Sequence, residues 1–238
     1  MTALGPAGRG GPHLFVADLS APELSDDDAR HLVRSLRTEV GDPLTLSDGA
    51  GRWVPGRLVD GSGAVEPTGP RHEVPPPTRP LTVAFAPVKG DRPEWTVQKL
   101  TEIGVDRIVA VMADRSVVRW TGERAAKQVE RLRRVAREAS MQSRRCRLPV
   151  LDGPRPATDV LAESGAVAAE PGGPPPTGDE RILVVGPEGG WSQSELTQAV
   201  GLVGLGPNIL RAETAAVVGA ALLVALREGV TRPTTNSG

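Results

Sequence analysis

The rhythm of apolar and polar positions changes once along the chain. From His13 to about Val74 the apolar runs are short: LFVADL from Leu14, then LTLSDGAGRWVPGRLV from Leu44. The second run predicts two strands joined at Asp48–Gly49, a turn pair. Between the two runs, SDDDARHLVRSLR (25–37) predicts a helix with Ser25 as N-cap. Three aspartates follow in its first turn, where the helix dipole favours negative charge. Leu32, Val33 and Leu36 make its apolar face and leave His31, Arg34 and Arg37 near one another on the surface. The expected unit is a small β-rich domain with one helix, residues 1–74. Its first twelve residues are rich in glycine and proline and are expected to be frayed.

VPPPTRP (74–80) suits neither a helix nor a central strand, so residues 75–80 predict a stiff linker and a domain boundary. In 81–238 strands and helices alternate. LTVAFAP (81–87), VDRIVAVMA (105–113), AVAAE (166–170) and RILVVG (181–186) read as strands. PEWTVQKLTEI (93–103) reads as a helix stopped by Gly104, and 123–143 as a long helix with Val129, Leu132, Ala136 and Ala139 on one face. A further helix starts at Ser192. NILRAE (208–213) reads as a short edge strand before the last helix, TAAVVGAALLVALREG. Near-continuous apolar strands alternating with helices predict an α/β fold, a parallel sheet covered on both faces.

Composition narrows the chemistry. A net charge of −1 gives no global attraction to nucleic acid or membrane, so phosphate binding requires a local patch. The single cysteine, Cys146, rules out an internal disulfide and a cysteine-rich zinc site, and three scattered histidines suggest no metal. The apolar run Thr214–Leu226 is shorter than the roughly 20 residues a membrane span needs. No apolar core of signal-peptide length occurs near Met1, and the expectation is a soluble cytoplasmic protein. Only Lys89, Lys99 and Lys127 are lysines among 28 basic residues, so arginine identity is weak evidence and clustering counts for more. Residues 115–147 hold ten arginines and one lysine against three glutamates, which reads either as a phosphate-binding stripe or as a solvated helix face.

Two stretches make unusual demands. LVVGPEGGWSQSELTQA (183–199) runs an apolar strand into a turn with Gly186, Pro187, Glu188, Gly189 and Gly190, and then into a capping box, Ser192 with Glu195. A turn between the carboxyl end of a strand and the start of a helix is where open α/β sheets bind ligands, and glycines allow close approach. A tight turn without a ligand fits the local sequence equally well. The pattern is no P-loop, Rossmann fingerprint or nucleophile elbow. In LGPNILRAETAAVVGAALLVAL (205–226), Thr214 is the expected N-cap of an almost wholly apolar helix. Arg211 needs an acceptor there, with Glu213 the candidate; an ion pair and a ligand role are both open.

GPEGG followed by a capped helix, then LGPNILRAETA leading into an Ala-rich helix, resembles the SPOUT class of RNA methyltransferases. Within it the chain is most similar to the family of 16S rRNA uridine-N3 methyltransferases. KGDRPEWTVQKLTEIGVDRI (89–108), REASMQSRRCRLP (137–149) and HLVRSLRTEVGDPLTLSDGAG (31–51) resemble further blocks of that family, in order, so the likeness covers about 13–228. The chain departs from the pattern at PHLFV, at Met141 before Gln142, and at Trp191 after GPEGG.

The resemblance implies a PUA-like β-barrel followed by an α/β SPOUT domain whose end forms a trefoil knot, in a homodimer. It implies S-adenosyl-L-methionine held by Glu170, Pro171, Gly186–Gly190, Leu205, Gly206, Leu210 and Arg211. The substrate it implies is 16S rRNA of the small ribosomal subunit, with methyl transfer to N3 of a uridine and Arg211 and Glu188 as the catalytic candidates. Glu138 and Glu188 are carboxylates near the motifs, and neither is singled out as the base. RNA contacts would fall on Arg34, Arg37, Lys89, Gln142, Arg144 and Arg145, and no metal is implied. A SPOUT enzyme with another RNA target, or a catalytically silent RNA-binding assembly protein, are the alternatives.

Overall fold

The computed structural model describes residue 6 and residues 10–232, and the chain divides into two units. The first comprises the described residues up to Pro77 together with Arg137–Leu148; the second comprises Thr78–Ala136 and the described residues from Pro149. Most of the segment expected to fray, 1–5 and 7–9, lies outside the described residues.

In the first unit, β1 (His13–Phe15) pairs in parallel with β2 (Pro43–Ser47), and β2 pairs antiparallel with β3 (Arg52–Leu58). β4 (Val65–Pro67) and β5 (His72–Glu73) both pair with β3. The β2–β3 turn sits at Asp48–Gly49 as predicted, with the Asp48 carboxylate accepting from the amides of Ala50 and Arg52. α1 (Asp26–Arg30) is capped by Ser25, whose hydroxyl oxygen accepts from the Asp28 amide. The chain then turns wider, into a π-helical turn over His31–Ser35, which buries Leu32 completely while Arg34 and Arg37 stay exposed. Leu14, Leu32, Leu44, Leu46 and Leu58 make the core, with Met141 packed against it. Met141, one of the positions that depart from the family pattern, is thus a packing residue of this unit.

Residues 137–148 were expected to belong with 81–238, and the structure corrects this. The Arg137 guanidinium makes hydrogen bonds of 2.9 and 2.7 Å to the two Asp28 carboxylate oxygens. The Ser47 hydroxyl and the Gly51 amide both donate to the Cys146 carbonyl at 3.0 Å, and the Leu148 amide donates to Gly49. Burial pushes the Asp28 carboxyl up, but hydrogen bonds from Arg137 and Ser25 outweigh it and hold the group below its ordinary value.

The second unit is a six-stranded sheet, parallel throughout. Its elements in chain order are β6 (Thr82–Phe85), α2 (Arg92–Ile103), β7 (Arg107–Met112), α3 (Gly122–Ser143, its last two turns counted with the first unit), β8 (Val150–Pro156) and α4 (Ala157–Leu161). Then follow β9 (Ala166–Ala169), β10 (Ile182–Val185), α5 (Gln193–Gln198), β11 (Leu202–Val203) and α6 (Ala212–Arg227). The spatial order is β11-β9-β10-β6-β7-β8. Alternate residues of the strands enter two cores, as the apolar runs predict: Val83, Phe85 and Leu183 meet Leu100, Leu132 and Ala220 on one face. Ala84, Val109 and Val184 meet Val160, Leu161 and Trp191 on the other.

Two expectations near the end fail. NILRAE is not a strand; Leu202–Val203, just before it, takes the edge position against β9. α6 starts at Ala212 with Arg211 in the extended N-cap position and no side-chain cap, so Thr214 lies inside the first turn. Thr214 reads as a cap locally, but Ala212 and Ala215 pack into the core, and the N-cap stands three residues earlier, at Arg211.

Candidate functional site

The carboxyl ends of three neighbouring strands each lead into a loop, and the loops enclose a cavity of about 360 Å³. Glu170–Pro171 follows β9, Gly186–Gly190 follows β10, and Leu205–Arg211 follows β11. This is where ligands bind in parallel α/β sheets, because strands that reverse direction of winding leave a crevice at their carboxyl ends. Ten of the eleven residues expected to hold the cofactor line it: Glu170, Pro171, Gly186, Pro187, Glu188, Gly190, Leu205, Gly206, Leu210 and Arg211. Gly189 does not; a side chain there would meet the Cβ of Arg115 at 3.2 Å.

The turn after β10 owes its shape to a buried carboxylate and to glycines. Glu195 is 1% exposed and its carboxylate accepts from the Ser192 amide at 2.8 Å and from the Asp114 amide at 2.9 Å. It therefore completes the capping box of α5 and also ties that helix start to the loop after β7. The Ser192 hydroxyl donates to the Asp114 carboxylate at 2.6 Å, closing the network. Trp191 is buried beneath the turn, its indole nitrogen donating to the Ala169 carbonyl at 3.0 Å. A Cβ at Gly186 would stand 2.9 Å from the Trp191 ring, so only glycine lets the turn lie against that indole. Gly190 has φ +69°, a conformation that L side chains rarely adopt.

The charged residues are arranged differently from the expectation. Arg211 is exposed at the rim, and among the described residues it makes no ion pair with Glu213. Arg92 instead reaches Glu213 at 3.6 Å and Glu188 at 3.0 Å. Arg211 holds the extended N-cap position of α6, and Arg92 stands at the start of α2.

Of the expected RNA-contacting residues, Arg34, Arg37, Gln142, Arg144 and Arg145 fall in the first unit and Lys89 in the second. Arg34, Arg37, Lys89 and Gln142 are exposed. The Arg144 guanidinium donates to the backbone carbonyl of Gly11, so part of its hydrogen-bonding capacity is spent within the unit. Among the described residues no group of three or more His, Cys, Asp or Glu side chains can hold a metal, and no helix is long and apolar enough to cross a membrane.

Sequence reasoning missed Ala169, Val185, Trp191, Ala212 and Ala215 in the lining. Asn208 and Ile209 line the cavity from within the loop Leu205–Arg211, which the resemblance assigns to the cofactor, and Ile209 is 86% exposed. Arg92, whose guanidinium reaches Glu188, was also missed; it follows β6, the strand beside β10, at the same end of the sheet.

A parallel sheet with a small-molecule cavity over its carboxyl ends, joined to a five-stranded β unit, has counterparts among RNA-modifying enzymes. Residues 75–224 match the RNA methyltransferase domain family and residues 24–65 match the RNA methyltransferase PUA domain family. The fold and site thus define an RNA methyltransferase carrying a PUA domain. Ribosomal RNA small subunit methyltransferase E of Mycobacterium bovis is 36% identical over 220 residues, covering 81% of both chains. The chain belongs to the ribosomal RNA small subunit methyltransferase E family. Among solved structures, a probable rRNA-methyltransferase from Porphyromonas gingivalis aligns with a TM-score of 0.77 and 30% identity, covering 92% of this chain and all of the other. The Neisseria gonorrhoeae ribosomal RNA small subunit methyltransferase E, solved bound to S-adenosyl methionine, gives a TM-score of 0.77 at 28% identity over 91% of this chain and 97% of its own.

Proposed function

We propose that the chain transfers the methyl group of S-adenosylmethionine to N3 of a uridine in 16S rRNA. The observation that carries this reading is the cavity over β9, β10 and β11, whose lining suits that cofactor. A neutral adenine needs backbone donors and apolar walls, and Val185, Pro187, Trp191, Leu205 and Leu210 offer such walls. A sulfonium needs negative charge nearby, and Glu170 and Glu188 lie in the lining. The cofactor supplies an electrophilic methyl group when bound.

The residues of the chain supply position and charge. Arg211 stands exposed at the rim, where it stabilises negative charge developing on the uracil oxygens as N3 loses its proton. Glu188 is ion-paired to Arg92, so its part is electrostatic rather than proton transfer. Exposed Arg34 and Arg37 in the first unit, and Lys89 in the second, contact RNA phosphates. The family resemblance supports three further parts of the reading: a trefoil knot formed by the cofactor loops, a homodimer, and a cytoplasmic location. Partial exposure of Leu222, Val224 and Leu226 along the apolar α6 agrees with a dimer contact on that helix.

The test is to incubate the purified chain with S-adenosylmethionine and unmethylated small subunits, then digest the 16S rRNA to nucleosides for mass spectrometry. The expected product is 3-methyluridine. Methylation of another nucleoside or another RNA would replace this target, and cofactor binding without any transfer would reduce the protein to a silent binder.

A further inference from the structure

Arg92 is absent from the cavity lining, yet its guanidinium joins two of the elements that build the cavity. Nη1 lies 3.0 Å from Glu188 Oε1 on the turn after β10 and 3.6 Å from Glu213 Oε1 in the first turn of α6. We propose that Arg92 is a positioning residue that holds this turn against the start of α6 and thereby sets the width of the cofactor slot. The inference rests on the cofactor reading given above.

Three observations carry it. Glu188 and Glu213 both approach Arg92 Nη1, and a cation between two carboxylates offsets their mutual repulsion. The Glu213 side chain is 11% exposed and its Oε2 is buried with no hydrogen-bond partner, so Arg92 is its counter-charge among the described residues. Removing the cation leaves that buried carboxylate uncompensated, and the acidic groups are then driven apart. Finally, Arg115 Nη1 donates to the Gly189 carbonyl at 3.2 Å on another side of the same turn, so loss of Arg92 frees one anchor of the turn and leaves the other.

A positioning role of this kind acts on cofactor affinity more than on the transfer step. Arg92 reaches the lining only through its ion pair with Glu188 and does not itself line the cavity. Titration calorimetry with S-adenosylmethionine, a thermal melt and single-turnover rates at saturating cofactor form the experiment. Arg92→Ala is expected to raise the Kd by roughly tenfold or more, the scale of a lost hydrogen bond between charged groups. The single-turnover rate should stay within about twofold. Arg92→Lys should restore part of the affinity, because it keeps the charge and loses the planar fork. Glu188→Gln, at a side chain 60% exposed, should weaken binding in the same direction without moving the melt. The double variant Arg92→Ala with Glu188→Gln should bind no more weakly than the sum of the single effects predicts, and less weakly if the two act as a pair.

An unchanged Kd in folded Arg92→Ala overturns the inference, as does a loss confined to the rate. If Arg92→Ala fails to fold, Arg92→Gln and Arg92→Lys decide, and unchanged affinity in both overturns it. Failure of the wild-type chain to bind S-adenosylmethionine removes the cofactor reading itself, and this inference with it. Normal wild-type binding with an indifferent Arg92→Ala removes the inference alone.

Discussion

The turn Gly186–Gly190 and the segment 115–147 are alike in sequence, each concentrating one kind of residue, and each pointed to a ligand. They fold to different ends. The glycine turn lines the cavity, as its position between a strand and a capped helix predicts. The arginines of 115–147 are largely engaged inside the molecule. Arg119 donates to the Asp114 carbonyl, Arg131 pairs with Glu94 at 2.8 Å, Arg137 pairs with Asp28, and Arg147 donates to the Val74 carbonyl. A glycine turn acts through its own backbone, so neighbours in sequence reveal it. A guanidinium acts through whatever faces it, and charge counting along the chain cannot see that partner.

The sharpest way to break this comparison is at Gly186. Gly186→Val would drive methyl groups into the Trp191 ring, which a Cβ already approaches to 2.9 Å, and should raise the Kd for S-adenosylmethionine by about 100-fold or more. Gly189→Val, whose side chain would meet Arg115 instead, should weaken binding far less. Equal effects in calorimetry would mean that the turn is merely tight and its lining is incidental.

Next in size is Arg211→Ala. Because Arg211 has no ion pair with Glu213 among the described residues, the variant should melt normally while single-turnover methylation falls by about 10²–10³-fold. A lowered melting temperature with a normal rate would move Arg211 to the structural side of the comparison.

Arg137→Ala tests the structural side directly. It removes a two-pronged hydrogen bond to an Asp28 side chain that is 10% exposed, and should cost about 2–3 kcal/mol of stability in chemical denaturation. Cofactor affinity should not change. Loss of RNA affinity without loss of stability would restore the phosphate-binding reading for this arginine.

His13 supplies a pH test of the same region. Burial, more than any other influence, lowers its pKa to about 4; its ring bonds Thr45 Oγ1 at 2.8 Å and the Arg145 carbonyl at 3.2 Å. With the folded pKa below the unfolded value of 6.5, stability is fully present above pH 6.5. It is lost progressively as pH falls from 6.5 through about 4. His13→Gln should flatten that part of the stability curve, while the wild type should lose on the order of 2–3 kcal/mol across it. An identical pH profile in both would show that His13 is not the group responsible.

The smallest effect belongs to the exposed pair Arg34 and Arg37. Neutralising both should flatten the slope of log K for RNA against log salt by about 1.5–2 units, with no change in melting. An unchanged slope would place these two arginines with the solvated surface.

Much of the protein was determined by sequence alone. The Ser25 cap, the Asp48–Gly49 turn, the capping box of Ser192 and Glu195, and the strands at 82–85, 107–112 and 182–185 all follow from residues within a few positions of one another. Period, cap and turn chemistry act over one turn of helix or one hairpin, which is why they can be read locally. The tertiary structure alone decided that β11 lies at the edge, that α6 begins at Ala212, and that residues 137–148 join the first unit. It also decided which charges meet. Arg92 and Glu188 are 96 residues apart in the chain, and Arg137 and Asp28 are 109 apart. A Coulomb contact depends on a separation of a few ångströms in space and not on distance along the chain, so only folding could pair them.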